Sequence, residues 1–342
     1  MPSSTPTRRQ MLLGLVALGG CRGASLAPDG GADRASSPDA APSVPQAPAA
    51  PSPSATASST SDLAEARIDA LKALREKLRP LHQRLGPPKP GEWRAEHHEA
   101  GQTFEQYLGS NPITPDGVRK ILAIQPLGEL TSAQRKIVNL AADYMSRYFT
   151  LETRILADVS SAAIPKAARR THPTWGDKQV LTTYVLEKLL RPNLPADAVA
   201  TIAFTASDLW PGGDWNFVFG QAELRDRVGV WSIYRNGDPS ASPAAFKLAL
   251  LRTLRIAVHE TGHMLSLEHC TAYRCVQGGV NSLDEDDRAP LWLCPECVAK
   301  VVWATRADPR RRYEKLAAFC KEHGLDTEAA FFNRSIATLR PT

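Results

Sequence analysis

Apolar residues recur along this chain in two rhythms, one helical and one extended. Leu71, Leu74, Leu78, Leu81 and Leu85 stand three or four apart with Arg, Lys and Glu between them. This predicts an amphipathic helix over residues 62–85 whose stripe packs on its own domain. Pro80 interrupts the stripe and argues against a coiled coil. GPPKPGE at 86–92 reads as a loop. From about residue 118 strands and helices alternate. Apolar runs at 119–125, 153–158 and 198–205 predict buried strands, the first ended by Gly128. Thr131 is placed to cap a helix through Tyr148, with Ile137, Leu140, Ala141 and Tyr144 on one face. Residues 176–190 predict a helix ending before Pro192, residues 216–220 and 228–235 two more strands, and residues 245–265 a long helix. Three more helices are expected at 298–306, from Asp308-Pro309 to Gly324, and over 327–339. Tyr313, Leu316, Ala317 and Cys320 form an apolar stripe, so Cys320 reads as a buried core thiol. This order predicts an α/β fold with a mixed, mainly parallel sheet packed with helices.

The amino terminus follows neither rhythm. Arg8 and Arg9 precede a short apolar run from Met11 to Leu18 and then Gly19-Gly20-Cys21. The run is too short to span a bilayer, so residues 1–20 read as a signal peptide. The twin arginine resembles a Tat signal, and Leu-Gly-Gly-Cys resembles a bacterial lipobox, with Cys21 as the lipidated first residue of the mature chain. An ordinary secretory signal is the alternative. Residues 21–61 are rich in Ala, Pro, Ser, Gly and Asp, and read as a disordered tether behind that lipid. The expected layout is then an amino-terminal extension at 62–117 and a catalytic domain at 118–342, facing the periplasm or held on the outer membrane.

Composition adds little. Lys and Arg number 41 against 36 Asp and Glu, a net +5 over 342 residues, and this mild excess makes no case for nucleic acid. Neither an internal repeat nor a phosphate-binding glycine loop is present.

The chemistry lies in HETGHMLSLEHCTAYRC, residues 259–275. His259 and His263 are four apart, so on a helix they project from one face and reach one metal ion. Glu260 follows the first histidine, where it can deprotonate a water on that metal. His269 is six residues beyond His263 and becomes a third ligand if the helix stops and the chain turns back. Three imidazoles leave the fourth position of tetrahedral Zn²⁺ open to water, as in catalytic zinc sites. Cys270 and Cys275, then Cys294 and Cys297 in CPEC, make two close pairs. They suit a closed, structural four-thiolate zinc site, with two disulfides as the alternative. His97, His98 and His172 lie far from the motif and read as surface or structural residues. Trp210, Trp215 and Trp231 read as core or cleft-wall aromatics.

These residues resemble the archaemetzincins, a branch of the metzincin zinc peptidases, whose pattern is H-E-x-x-H-x-x-G-x-x-H-C, a second Cys after four residues, a nearby Met, and C-x-x-C. The similarity also runs through GEWRAEHHEAGQTFEQYL, ASDLWPGGDWNFVFGQA and RVGVWSIYRNGD, so it covers most of residues 86–340. It implies a metzincin-like fold with a long active-site helix, a four-cysteine zinc knuckle and carboxy-terminal helices. It also implies catalytic zinc on His259, His263 and His269, Glu260 as general base, and a second zinc on Cys270, Cys275, Cys294 and Cys297. In the resembling family an exposed edge strand beside the active helix binds an extended peptide. Two positions depart from the pattern. Ser266 stands where the family has Gly, and a left-handed serine costs on the order of 1 kcal/mol more than glycine. Gln277 stands where the family has its Met, and a buried amide needs partners that a thioether does not.

The expected function is therefore a zinc metallopeptidase acting on peptides or proteins, tied to the cell envelope by its lipidated terminus. The competing expectation, motivated by Ser266 and Gln277, is a zinc-stabilised scaffold without turnover. Retention of Glu260 argues against it, since a structural site needs only ligands.

Overall fold

The computed structural model describes residues 54–340. The signal peptide, Cys21 and most of the tether lie outside the described residues. Residues from Ala70 onward form one compact unit, and the described residues before it belong to another. Helix α1 (Ser54–Leu78) begins inside the stretch expected to be tether, and it ends where Pro80 enters a 3₁₀ turn at Arg79–Leu81. Its stripe buries Leu71, Leu74 and Leu78, whereas Leu81 and Leu85 are half-buried beyond the break. Two short helices follow, α2 (Trp93–Glu96) and α3 (Phe104–Gly109). Strand β1 (Ile121–Leu127) is buried along its whole length and ends at Gly128, whose φ of 80° needs a glycine. Helix α4 (Ser132–Phe149) starts at Thr131, where the threonine and Gln134 side chains form a reciprocal capping box.

Three expectations are corrected over the next hundred residues. Strand β2 (Glu152–Ile155) is exposed, not buried, because it lies at the sheet edge; there Arg154 pairs with Asp197 in solvent. The helix expected over 176–190 begins only at Thr182, after a four-residue strand. Strand β3 (Arg169–Thr171) pairs antiparallel with β4 (Lys178–Leu181), and only then come α5 (Thr182–Tyr184) and a π-turn at Val185–Leu190 before Pro192. Cross-strand pairing there overrides the helical apolar spacing. Strand β5 (Ala198–Thr205) is fully buried as expected, and β6 (Asp208–Trp210) pairs parallel with β4. The strand expected at 216–220 contributes only a bridge from Val218 to Leu209; strand β7 runs Gly220–Glu223, and β8 (Val228–Ser232) is shorter than expected.

The main sheet has the order β2-β1-β5-β8-β7. Its first four strands are parallel, and β7 is antiparallel to β8, which makes β7 an edge. Helix α6 (Pro243–Met264) packs between α4 and the β7–β8 end of the sheet. After it come α7 (Leu283–Asp286), α8 (Pro295–Thr305), α9 (Pro309–Glu322) and α10 (Asp326–Thr338). Asp308 caps α9 through its side chain, as the Asp-Pro pair predicts, and Gly324 follows at φ 66°. Cys320 is fully buried in that helix pair. Among the described residues no helix is long and apolar enough to cross a membrane.

Candidate active site

Helix α6 carries His259, Glu260 and His263, and its end positions His269. The helix closes in a Schellman turn: Ser266 N–H donates to His263 O at 2.8 Å and Leu267 N–H to Gly262 O at 3.0 Å. That turn requires Ser266 at φ 67°, a glycine-like conformation. The strain is offset by hydrogen bonds, because Ser266 Oγ accepts from Ile113 N–H at 3.0 Å and its carbonyl from Gln102 Nε2 at 3.3 Å. Tyr107 donates its hydroxyl to Leu265 O at 2.8 Å, so the amino-terminal extension clasps the same turn.

The ligand atoms of His259, His263 and His269 all lie within 4.8 Å of one another. His259 Nδ1 lies 2.8 Å from Val276 O and His263 Nδ1 2.6 Å from Leu267 O. A carbonyl only accepts, so each Nδ1 carries the hydrogen and each Nε2 presents a lone pair. Those two Nε2 atoms are 3.1 Å apart. Two facing lone pairs repel unless a cation lies between them, and tetrahedral zinc with Zn–N near 2.05 Å spaces its nitrogens by about 3.3 Å. Burial drives His259 down to about 3, with help from His269, and drives His263 well below its ordinary value. Both rings are therefore neutral at pH 7, the form that binds metal.

Glu260 is buried, its Oε2 has no partner, and burial raises its carboxyl to about 8. Such a group is a stronger base than an exposed glutamate, and an unpaired oxygen beside three convergent imidazoles fits a metal-held water.

The third histidine is oriented by a residue that spacing does not reveal. Glu99 accepts from His269 Nδ1 at 2.9 Å and from Trp93 Nε1 at 2.9 Å. Burial alone would raise the Glu99 carboxyl, but the hydrogen bond from His269 holds it below its ordinary value. Trp93 lies edge-on to His269 at 5.0 Å and stacks on His97 at 3.8 Å. Glu99→Ala should weaken metal affinity about 10–100-fold, the usual loss when such a partner is removed. Competition titration against a fluorescent zinc chelator measures it, and unchanged affinity would refute the positioning role.

Gln277 is completely buried beneath the motif. Its Nε2 donates to His259 O at 3.1 Å, while its Oε1 has no partner among the described residues. Gly262 makes room for it, since a Cβ there would stand 2.2 Å from Oε1. The amide is thus half satisfied and sterically accommodated.

The four cysteines come together as a second cluster directly behind His269. All are buried, free thiols, with sulfurs within 4.8 Å of one another and Cys270 Sγ 3.5 Å from Cys294 Sγ. Cys294 stands at the N-cap position of α8 and Cys297 in its first turn. The Cys275 sulfur accepts backbone N–H bonds from Cys294 at 3.2 Å and Gln277 at 3.4 Å. Hydrogen bonds from Cys275, Cys294 and Cys297 hold Cys270 low, and burial pushes Cys275 and Cys294 well up. Four such sulfurs shed all their protons only around a cation, and their grouping fits a thiolate metal site.

A cleft opens beside the histidines. Its lining includes Phe219 and Gly220 at the β7 edge, Val276, Val280 and Leu283 from the following loop, and Arg252 and Arg255 from α6. His172 and Trp231 stand where expected, whereas neither Trp210 nor Trp215 lines the cleft. His172 is buried and bonded to Asn216, and Trp231 is in the core. Trp210 is half-buried against Arg170 and Trp215 is exposed.

Comparison with known proteins points to one family. The model of peptidase family M54 matches residues 174–302. Archaemetzincin-2 of Homo sapiens is 30% identical over 294 residues, covering 76% of this chain and 81% of that protein. Archaemetzincin-2 of Pongo abelii is 30% identical over 304 residues, covering 79% and 82%. Among solved structures, the archaemetzincin of Archaeoglobus fulgidus is 28% identical at a TM-score of 0.42, over 53% of this chain and 99% of that one. That of Methanopyrus kandleri is 25% identical at 0.44, over 56% and 99%.

Proposed function

Since the chain belongs to the archaemetzincin family and is a zinc metallopeptidase, we propose that His259, His263 and His269 hold its catalytic zinc and that Glu260 is the general base. The observation that carries this reading is the fixed tautomer of His259 and His263, whose Nε2 lone pairs converge beside the unpartnered Glu260 Oε2. When bound, zinc supplies Lewis acidity toward a carbonyl oxygen and acidifies water. Glu260 takes the proton of the attacking water and passes it to the leaving amine nitrogen as the peptide bond breaks. A substrate in extended form adds along β7, the last strand of the sheet, whose Phe219–Gly220 end borders the cleft. Main-chain hydrogen bonds there hold a peptide whatever its sequence.

A second zinc, held by Cys270, Cys275, Cys294 and Cys297, fixes the loop that follows His269 to α8. The experiment is metal removal. Native mass spectrometry should count two zinc ions per chain, and chelation should abolish cleavage of a mixed peptide library until zinc is restored. A count of one removes the structural zinc, and cleavage that survives complete chelation removes the mechanism.

The twin arginine and the Leu-Gly-Gly-Cys junction support anchoring of the enzyme to the bacterial cell envelope through lipidated Cys21. The full chain should then fractionate with membranes, and Cys21→Ala should release it. A wild-type chain recovered wholly in the soluble fraction contradicts the anchor.

A further inference from the structure

We propose that Arg255 is the specificity determinant of the cleft and receives a substrate carboxylate beside the scissile bond. This rests on the peptidase reading above and names the class of substrate that the same site takes. The carboxylate is either the side chain of an Asp or Glu residue or the free C-terminus of a peptide.

Arg255 stands four residues before His259 on α6, so the two side chains leave the helix on one face and both line the cleft. Arg255 is only 6% exposed, yet its Nε and Nη1 make no hydrogen bond. A buried cationic donor left without a hydrogen bond is costly, so such a group is expected to have a partner in the working state. The nearby acids do not fill that role. Asp287 is engaged by Arg252 through two hydrogen bonds of 2.9 and 2.6 Å, and its nearer oxygen is 3.7 Å from Arg255 Nη1. Asp286 approaches Nη1 only to 3.5 Å. These carboxylates form longer ion pairs with Arg255 Nη1 and balance the charge of the two arginines, but they leave Nε and Nη1 without a hydrogen bond.

The rest of the cleft suits one short anionic group. Ile256, Val276, Val280, Leu283 and Ala289 give the cleft that Arg255 lines much of its apolar wall. In that setting a charge-assisted bond to a carboxylate is stronger than in water, and an unpaired neutral amide is poorly received. The cavity volume is about 50 Å³. At the ~10–15 Å³ that one water needs, that is room for about four non-hydrogen atoms, the size of a carboxymethyl group. Burial pushes Asp286 up to about 6, so its charge is the one most readily given up when a further carboxylate enters.

The test uses the zinc-loaded full chain and its Glu260→Gln variant, which binds without cutting. The peptides share one sequence with Asp or Glu, or their neutral isosteres Asn or Gln, beside the scissile bond, each with a free or an amidated C-terminus. On Glu260→Gln, fluorescence anisotropy should show carboxylate-bearing peptides binding at least tenfold more tightly than neutral ones. Arg255→Met in the same background should remove the difference, and Arg255→Lys should restore part of it. Discrimination by side chain marks an endopeptidase for acidic sites; discrimination by the C-terminus marks a carboxypeptidase. Equal binding of every peptide overturns the proposal, and because the peptides vary while the protein does not, misfolding of an arginine variant cannot obscure that outcome. Cleavage by the wild type is sequenced in parallel. A wild type that cuts without regard to carboxylates overturns the Arg255 assignment and leaves the peptidase reading intact. If the wild type cuts nothing while Glu260→Gln still discriminates, the peptidase reading falls and the carboxylate site stands.

Discussion

Glu260→Gln should lower peptide cleavage by about 10²–10⁴-fold while zinc content stays at the wild-type level, the usual contribution of a positioned general base. Glutamine keeps the shape of the side chain and its place on α6, but it cannot take a proton from water. The ligand set is untouched, because His259 and His263 are held by Val276 O and Leu267 O and not by Glu260. The lost activity is then assignable to proton transfer alone. Steady-state cleavage assays on metal-matched preparations measure it. A variant that cuts as well as the wild type would falsify the general-base role.

Cys297→Ser should release one zinc ion per chain and lower the melting temperature by about 6–12 °C or more. Structural zinc contributes apparent energies of ~10–16 kcal/mol in small zinc domains. Here the sheet and α6 form a core of their own, so the expected loss is smaller, about 3 kcal/mol or more, at 2–4 °C per kcal/mol for a domain of this size. The damage should also reach the first zinc, because Cys270 directly follows His269 and Cys270 N–H donates to Gln277 O at 2.8 Å. Loosening the knuckle therefore frees both His269 and Gln277. Differential scanning calorimetry with zinc counting tests this; an unchanged melt and an unchanged count would sink it.

The two departures from the family pattern lose their force as arguments for an inert scaffold. Ser266 keeps the left-handed turn that a glycine would take, and its hydroxyl is bound by Ile113. Gln277 is held by His259 O, with Gly262 leaving space for its amide. Each substitution is absorbed locally and the three imidazoles still converge.

What was legible in the sequence is what short-range backbone geometry controls. His259 and His263 share a face because 3.6 residues make a turn, and Thr131, Asp308, Gly128 and Gly324 mark ends because caps and left-handed residues act on their own neighbours. The cysteine spacing likewise announced a cluster, since a C-x-x-C pair closes on one ion within a single helical turn. Contacts made across the chain had no such signature. Glu99 orients His269 from 170 residues away, and Tyr107 holds Leu265 from 158 residues away. Residues 178–181 carry helical apolar spacing yet became a strand, because β3 and β6 offered pairing on both sides. Which of two strands forms the edge by α6 was decided only when β7 paired antiparallel on β8. Arg255 could be placed on the face of His259 by counting, but its unmade hydrogen bonds follow from where α7 sets Asp286 and Asp287. The sequence by itself thus determined the candidate ligand motif and the helix that presents His259 and His263, since local geometry is encoded residue by residue. The tertiary structure decided what orients those ligands and what charge lines the cleft, since those contacts exist only after distant segments pack.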